Sequence, residues 1–145
     1  MDLKHGKYLG VDYGDKRTGL AESDLSGTLA SGIGTIKESG MRHTAIRVAK
    51  EAEERSIKKI VIGLPKNMDG TEGSRAETVR AFAALVREYT SVPIDFCDER
   101  MSTMLAYRYM DSTETYGKKR KENIDTLSAE LILQSYLDRE KKGDS

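Results

Sequence analysis

The sequence predicts an α/β fold: a five-stranded mixed sheet, an antiparallel meander of three strands plus two parallel strands, flanked by helices. Three observations predict it. Up to Ile36 the apolar residues alternate in short stretches separated by turn residues; after Gly40 the period becomes that of a helix; from there on, two short strand patterns alternate with helical ones. Such an order, β-β-β-α-β-α-β-α-α, buries its apolar faces when helices pack on a mixed sheet whose later strands are joined by right-handed crossovers.

Lys7 to Tyr13 reads as the first strand, with Tyr8, Gly10 and Asp12 on one face and Leu9, Val11 and Tyr13 on the other. A carboxylate therefore ends an apolar strand. Gly14-Asp15-Lys16 is a turn, Arg17 to Ser23 a second strand, Asp24-Leu25-Ser26-Gly27 another turn, and Leu29 to Ile36 a third strand. Met41, Ala45, Val48, Ala49 and Ala52 follow helical spacing behind a Ser39 cap, to about Arg55. Lys59 to Leu64 is a β-branched strand stopped at Pro65, and Lys66 to Gly73 is a loop with little to bury. Ser74 and Glu77 have capping-box spacing ahead of a helix ending near Tyr89. Val92 to Asp98 is the fifth strand, Ser102-Thr103 caps a short helix to about Met110, Asp111 to Glu122 is polar with a basic run at Lys118 to Lys121, and Ile124 to Glu140 is the last helix.

A chain of 145 residues fits one domain, 1–145. Charged residues are 33% of it, above the roughly 25% of an average domain, but 24 Lys and Arg balance 24 Asp and Glu. That balance excludes a globally basic nucleic-acid coat protein. With no apolar run near the roughly 18 residues that cross a bilayer, and no apolar leader at the start, the expected location is the cytoplasm. Cys97 is the sole cysteine and the two histidines are His5 and His43, so a zinc centre of Cys and His is excluded and any metal must sit on oxygen ligands.

Three carboxylates stand where packing alone does not favour them. Asp12 ends the first strand, beside Gly14, which leaves the backbone open to a close ligand; Glu99 follows the last strand; Asp125 sits in the first turn of the last helix, in line with Ser128, Ala129 and Ile132. If the first and last strands are parallel, Asp12 and Glu99 share one sheet edge and Asp125 closes the cluster from the helix. Three such charges repel unless a hard divalent cation, Mg²⁺ or Mn²⁺, lies among them, which suits phosphoryl-transfer chemistry without a histidine or a nucleophilic serine. Plainer readings exist for two of them: Asp125 as a charge at a helix start, and Glu99 within a local salt bridge of Asp98 and Arg100. Lys66 and Asn67 lie beyond the carboxyl end of a strand, where open α/β sheets bind ligands, although Asp69-Gly70 would also make this a simple turn. Cys97 reads as a small core residue.

Together these segments resemble the YqgF/RuvX family, whose members are described as pre-16S rRNA nucleases and as Holliday-junction-resolvase-like proteins with an RNase H-like fold. The motifs are Gly10-Val11-Asp12-Tyr13-Gly14-Asp15-Lys16-Arg17-Thr18-Gly19, Val61 to Gly73, Asp98-Glu99-Arg100-Met101-Ser102-Thr103, and Ile124 to Leu137, spanning nearly the whole chain in the right order. The resemblance implies catalytic and metal-holding carboxylates at Asp12, Glu99 and Asp125. It implies nucleic-acid contacts at Lys16, Lys66, Asn67 and Arg100, a Mg²⁺ or Mn²⁺ cofactor, and a substrate that is pre-16S rRNA or, as the alternative, branched DNA. Ribosome-assembly partners and a monomer or homodimer are compatible with it. A non-catalytic RNA-binding assembly factor is the competing class. An actin-like or sugar-kinase ATPase shares the Asp-x-Gly hairpin but needs a duplicated domain, for which 145 residues leave no room.

Overall fold

The computed structural model describes residues 6–38, 40–100 and 117–143, with the side chains of the last segment from 126 to 141. Its elements are β1 (Lys7–Asp12), β2 (Thr18–Ser23), β3 (Ala30–Ile36), α1 (Met41–Glu54), β4 (Ile57–Leu64), α2 (Ser74–Tyr89), β5 (Ile94–Asp98) and α3 (Gly117–Gly143). The strands form one five-stranded sheet in the order β3-β2-β1-β4-β5. β1, β2 and β3 pair antiparallel, while β1, β4 and β5 are parallel, as the alternation of periods predicts.

The period-two pattern of β1 sorts its side chains between two cores. Leu9 and Val11 join Ile60, Ile62, Val48, Ala52, Val79, Phe82 and Val86 beneath α1 and α2. Tyr8 packs on the opposite core, where Val61 and Cys97 meet Ala129, Ile132, Leu133, Tyr136 and Leu137 of α3. Cys97 is a core residue as expected, and burial pushes its thiol pKa up.

Glycines let α3 approach the sheet closely. A Cβ on Gly10 would come 2.7 Å from Leu133 Cβ and 3.0 Å from the Ala129 carbonyl oxygen, and one on Gly32 would run into Thr126 Cγ2. The edge strand is tied to the same helix. Gln134 accepts from the Ala30 N–H at 2.9 Å and donates to the Thr28 carbonyl at 2.9 Å, while the Thr35 and Thr126 hydroxyls lie 3.1 Å apart.

Several boundaries differ from the sequence reading. Tyr13 leaves the ladder after β1 and stacks on Phe82 of α2, ring centroids 4.2 Å apart. β2 starts at Thr18 and β3 at Ala30, past the exposed Leu29. β4 begins at Ile57 because β1 pairs with it from Lys7 onward, and β5 begins at Ile94 because Pro93 has no N–H to donate to a ladder. The cap position of α1 is Gly40, with φ of 99°, a backbone region that favours glycine; Ser39 lies outside the described residues. At α2 the cap position is Gly73 with no side-chain bond, so Ser74 is the first helical residue and the capping box is not made. The expected helix from Ser102-Thr103 to Met110 and the first part of the polar stretch also lie outside the described residues. α3 starts at Gly117 rather than Ile124, since Lys, Arg and Glu extend a helix by propensity where no apolar period marks it; the basic run is helical backbone.

Candidate active site

Because β1, β4 and β5 are parallel, their carboxyl ends share one edge of the sheet. Asp12 closes β1, and Glu99 follows β5 where the backbone turns helical. The two strands are not neighbours. With β4 between them and strands about 4.8 Å apart, they stand roughly 10 Å from each other, too far for short side chains in register to touch.

Gly63 lies in that gap. It follows the Val11↔Ile62 pair and is itself the partner of Cys97, so it stands between the ends of β1 and β5. The Glu99 carboxyl lies beside this position, 3.7 Å from where a Cβ on Gly63 would stand, while the close neighbour that the glycine admits is Ile132 of α3. Glu99 reaches Asp12, and the two half-buried side chains share a hydrogen bond. Burial pushes Glu99 above the usual carboxylate range; the bond to Asp12 and the charge of Arg75 oppose the rise, and Asp98 adds to it.

Around this pair the end of β1 is clamped from α2. Arg75 Nη2 donates to the Tyr13 carbonyl at 2.8 Å, its guanidinium carbon lies 5.9 Å from the Tyr13 ring centroid, and its Nη1 is 3.6 Å from Asp15 Oδ1. Arg75 was not expected from the sequence. A signal existed, because a cation in the first turn of a helix opposes the helix dipole and needs a tertiary reason. Gly14, expected to admit a ligand, instead admits the Arg17 carbonyl, into which a Cβ would run.

The local salt bridge foreseen around Glu99 forms without it. Arg100 pairs with Asp98, Nη2 to Oδ2 at 2.6 Å, and these bonds hold the Asp98 carboxyl below its ordinary range. Arg100 Nη1 also donates to the Met68 carbonyl at 3.3 Å, tying the loop after β4 to the end of β5. Lys66, half-buried in that loop, adds to the lowering of Asp98 and of Glu72, the latter held down chiefly by Arg80. Asn67 Nδ2 donates to Thr71 Oγ1 at 2.9 Å, and Lys16 stands exposed in the turn between β1 and β2.

Asp125 lies more than two turns inside α3, not at its start, so a helix-dipole role at an N-terminus does not account for it. Its backbone position follows from the register of α3 on β1. Tyr8 meets Tyr136, and Gly10 faces Leu133 and Ala129, so the helix runs back along the strand. Two residues beyond Gly10 is Asp12, about 6.6 Å along the strand; four residues before Ala129 is Asp125, about 6 Å along the helix. The two advance together toward the same sheet edge. Among the described residues no group of three His, Cys, Asp or Glu side chains is gathered, and the described acidic pair is Asp12 and Glu99. Its donor set, carboxylate oxygens in a half-buried site, fits a hard divalent cation.

A family model described as RuvX, Holliday junction resolvase, matches residues 6–139. Among curated relatives, a "Putative pre-16S rRNA nuclease" of Clostridioides difficile (strain 630) is 44% identical over 133 residues, covering 92% of this chain and 94% of that protein. A protein of the same description from Bacillus licheniformis is 45% identical over 134 residues, covering 91% and 96%. Among solved structures, T. thermophilus RuvC in complex with Holliday junction substrate aligns with a TM-score of 0.61 over 96% of this chain and 97% of that one, at 11% identity, a likeness of fold.

Proposed function

The chain belongs to the RuvX family, and from that premise we propose that it is a divalent-metal-dependent nuclease that hydrolyses phosphodiester bonds in structured RNA, with the 5′ end of pre-16S rRNA as its substrate. The observation that carries the reading is the Asp12–Glu99 pair, drawn together across Gly63 at the carboxyl edge of the parallel strands. Relatives described as pre-16S rRNA nucleases, more than 40% identical over nearly the whole chain, support the RNA substrate. The likeness to RuvC, at 11% identity, supports the fold and keeps a four-way DNA junction as the second substrate to test.

In this reading Asp12, Glu99 and Asp125 would hold Mg²⁺ or Mn²⁺. When bound, one or two such ions supply a water of lowered pKa and stabilise the charge on the leaving oxygen. The chain's own residues prepare that site. Glu99 and Asp12 offer oxygens from either side of Gly63, and a bound cation would neutralise the repulsion between them. Arg75 holds the end of β1 through the Tyr13 carbonyl. Lys16 and Lys66 contact phosphates, while Asn67 and Arg100 border the cleft by holding the loop that carries Lys66. Among the described residues no helix is long and apolar enough to cross a membrane, and the reading places the reaction in the cytoplasm.

The test is cleavage of an end-labelled 16S rRNA precursor and, in parallel, of a four-way DNA junction, with Mn²⁺ or EDTA, by the wild type and Asp12→Asn. Metal-dependent cutting of the precursor, abolished in the variant, is expected. Cutting of the junction alone would move the substrate to branched DNA. Equal RNA binding by both proteins with no cutting would favour an assembly factor.

A further inference from the structure

Arg75, Arg80 and Arg100, on α2 and just past β5, differ in how far their donors are committed. Arg80 meets Glu72 through two bonds of 2.8 Å, and Arg100 grips Asp98 with Nε at 3.1 Å and Nη2 at 2.6 Å. Each of these two guanidiniums faces a carboxylate in the two-pronged geometry that satisfies it. Arg75 does not. Among the described residues its one hydrogen bond runs from Nη2 to the neutral Tyr13 carbonyl, at 2.8 Å. The carboxylate facing its other prong is Asp15, 3.6 Å from Nη1 and so beyond hydrogen-bond distance, with the two side chains 48% and 78% exposed. An ion pair so long and so exposed contributes little. A carbonyl needs only a neutral donor, and a cation in the first turn of α2 opposes the helix dipole, so the clamp on β1 does not by itself account for an arginine here. Its surroundings do. Tyr13 follows Asp12 in the chain, and while burial raises the Glu99 pKa, the Arg75 charge is among the influences that oppose the rise. The guanidinium therefore stands within electrostatic reach of the acidic pair, with one prong unfilled.

Resting on the nuclease reading, we infer that Arg75 is a substrate-binding residue whose unfilled prong takes a backbone phosphate of the nucleic acid next to the one that is cut, in place of Asp15. A guanidinium fork fits a phosphate as it fits a carboxylate, and a phosphate carries no base identity, so this contact fixes the position of the strand over the acidic pair without reading sequence. Because Arg75 bonds residue 13 and not the two carboxylates, the phosphate it takes is a neighbour of the scissile one. Asp15 is then a rival that the phosphate must outcompete; it is exposed in the turn between β1 and β2, beside Lys16, and no hydrogen bond to Arg75 holds it there. The Nη2 bond to the Tyr13 carbonyl stays in place and ties the bound phosphate to the strand that ends in Asp12.

The experiment uses the full-length chain with Asp12→Asn, in EDTA, to hold the substrate uncut. The probe is a fluorescently labelled RNA hairpin with a single-stranded 5′ extension, and anisotropy gives Kd across a salt series. The variant is Arg75→Gln, which keeps a neutral donor for the Tyr13 carbonyl and removes the charge; it restores a purely structural clamp but not a phosphate ligand. Arg75→Gln is expected to weaken binding about tenfold, the scale of one charge-assisted hydrogen bond, and to reduce the slope of log Kd against log salt by about 0.7, the share of one phosphate on a single strand. Arg87→Ala, which removes a cation from the last turn of α2, should leave the slope unchanged. Asp15→Asn is expected to tighten binding about threefold when Arg75 is present and to lose that effect in the Arg75→Gln background, a coupling that a general change of charge does not produce. Wild-type affinity and slope in Arg75→Gln, or an equal Asp15→Asn effect in both backgrounds, overturn the contact, whatever the wild type cleaves. An Arg75-dependent slope in a protein whose Asp12 form cuts neither the rRNA precursor nor the junction removes the nuclease reading and keeps Arg75 as a phosphate ligand.

Discussion

Replacing Gly10 with alanine tests whether the seating of α3 on the sheet supports the proposed site. The new Cβ would sit 2.7 Å from Leu133 Cβ and 3.0 Å from the Ala129 carbonyl oxygen. Neither atom is the tip of a flexible side chain, so relief requires α3 to lift from the sheet by several tenths of an ångström to about 1 Å. Overpacking of this kind costs about 1–3 kcal/mol, which for a chain of this size lowers Tm by roughly 3–10 °C. Asp125 is one helical turn from Ala129 and its backbone moves with it, so if Asp125 serves the proposed reaction, a displacement near 1 Å should cost on the order of 100-fold in rate. The contrast is Gly63→Ala, whose Cβ meets Ile132 Cδ1 at 2.5 Å, a methyl that can rotate aside; its loss of stability should be the smaller one. Differential scanning calorimetry gives Tm, and single-turnover cleavage at least 15 °C below it gives the rate. Gly10→Ala with wild-type Tm and a rate within twofold of wild type would refute the reasoning, since α3 would then not be seated by that glycine.

Glu99→Gln should abolish metal-dependent cleavage and yet raise the Tm of the metal-free protein near neutral pH. The sign follows from burial: the folded chain holds the Glu99 proton more tightly than the unfolded chain, so wild-type stability falls as pH rises through and above the ordinary glutamate range, whereas Gln has no such dependence. Calorimetry from pH 4 to 8 should show the difference between Gln and Glu growing with pH, and millimolar Mg²⁺ raising Tm of the wild type only; parallel pH curves would refute it. Gln134→Leu removes its two bonds to residues 28 and 30 and should cost about 1–3 kcal/mol, read from urea midpoints, by leaving a partly buried N–H and C=O unpaired.

Much of the fold was legible because it rests on local periodicity. The alternation in β1 separates Leu9 and Val11 from Tyr8 and Gly10, and the two sets do face opposite helical layers. Boundaries were less legible where backbone conformation or pairing decides them. Ser74 has capping-box spacing, yet Gly73 takes the cap position; Val92 looks like strand, yet Pro93 delays β5; and the apolar pattern that opens at Ile124 conceals a helix that starts at Gly117. Asp12 and Glu99 stood out as candidates because one ends a strand and the other follows one, where packing favours something apolar or a turn residue. That they touch was not recognisable, since it depends on which strand lies between them and on what stands there.

By itself the sequence determined the α/β class, the carboxylates that close or follow the first and last strands and the exclusion of a Cys and His metal centre, all of which follow from residue type and short-range spacing. Tertiary structure alone decided that Glu99 reaches Asp12 across Gly63, that Arg100 pairs with Asp98 instead, and that Arg75 clamps the end of β1. The reason is one of range. Periodicity is set by the backbone within a few residues, whereas a contact between residues 12 and 99 exists only after the sheet order β3-β2-β1-β4-β5 has brought the ends of β1 and β5 to one edge on either side of β4.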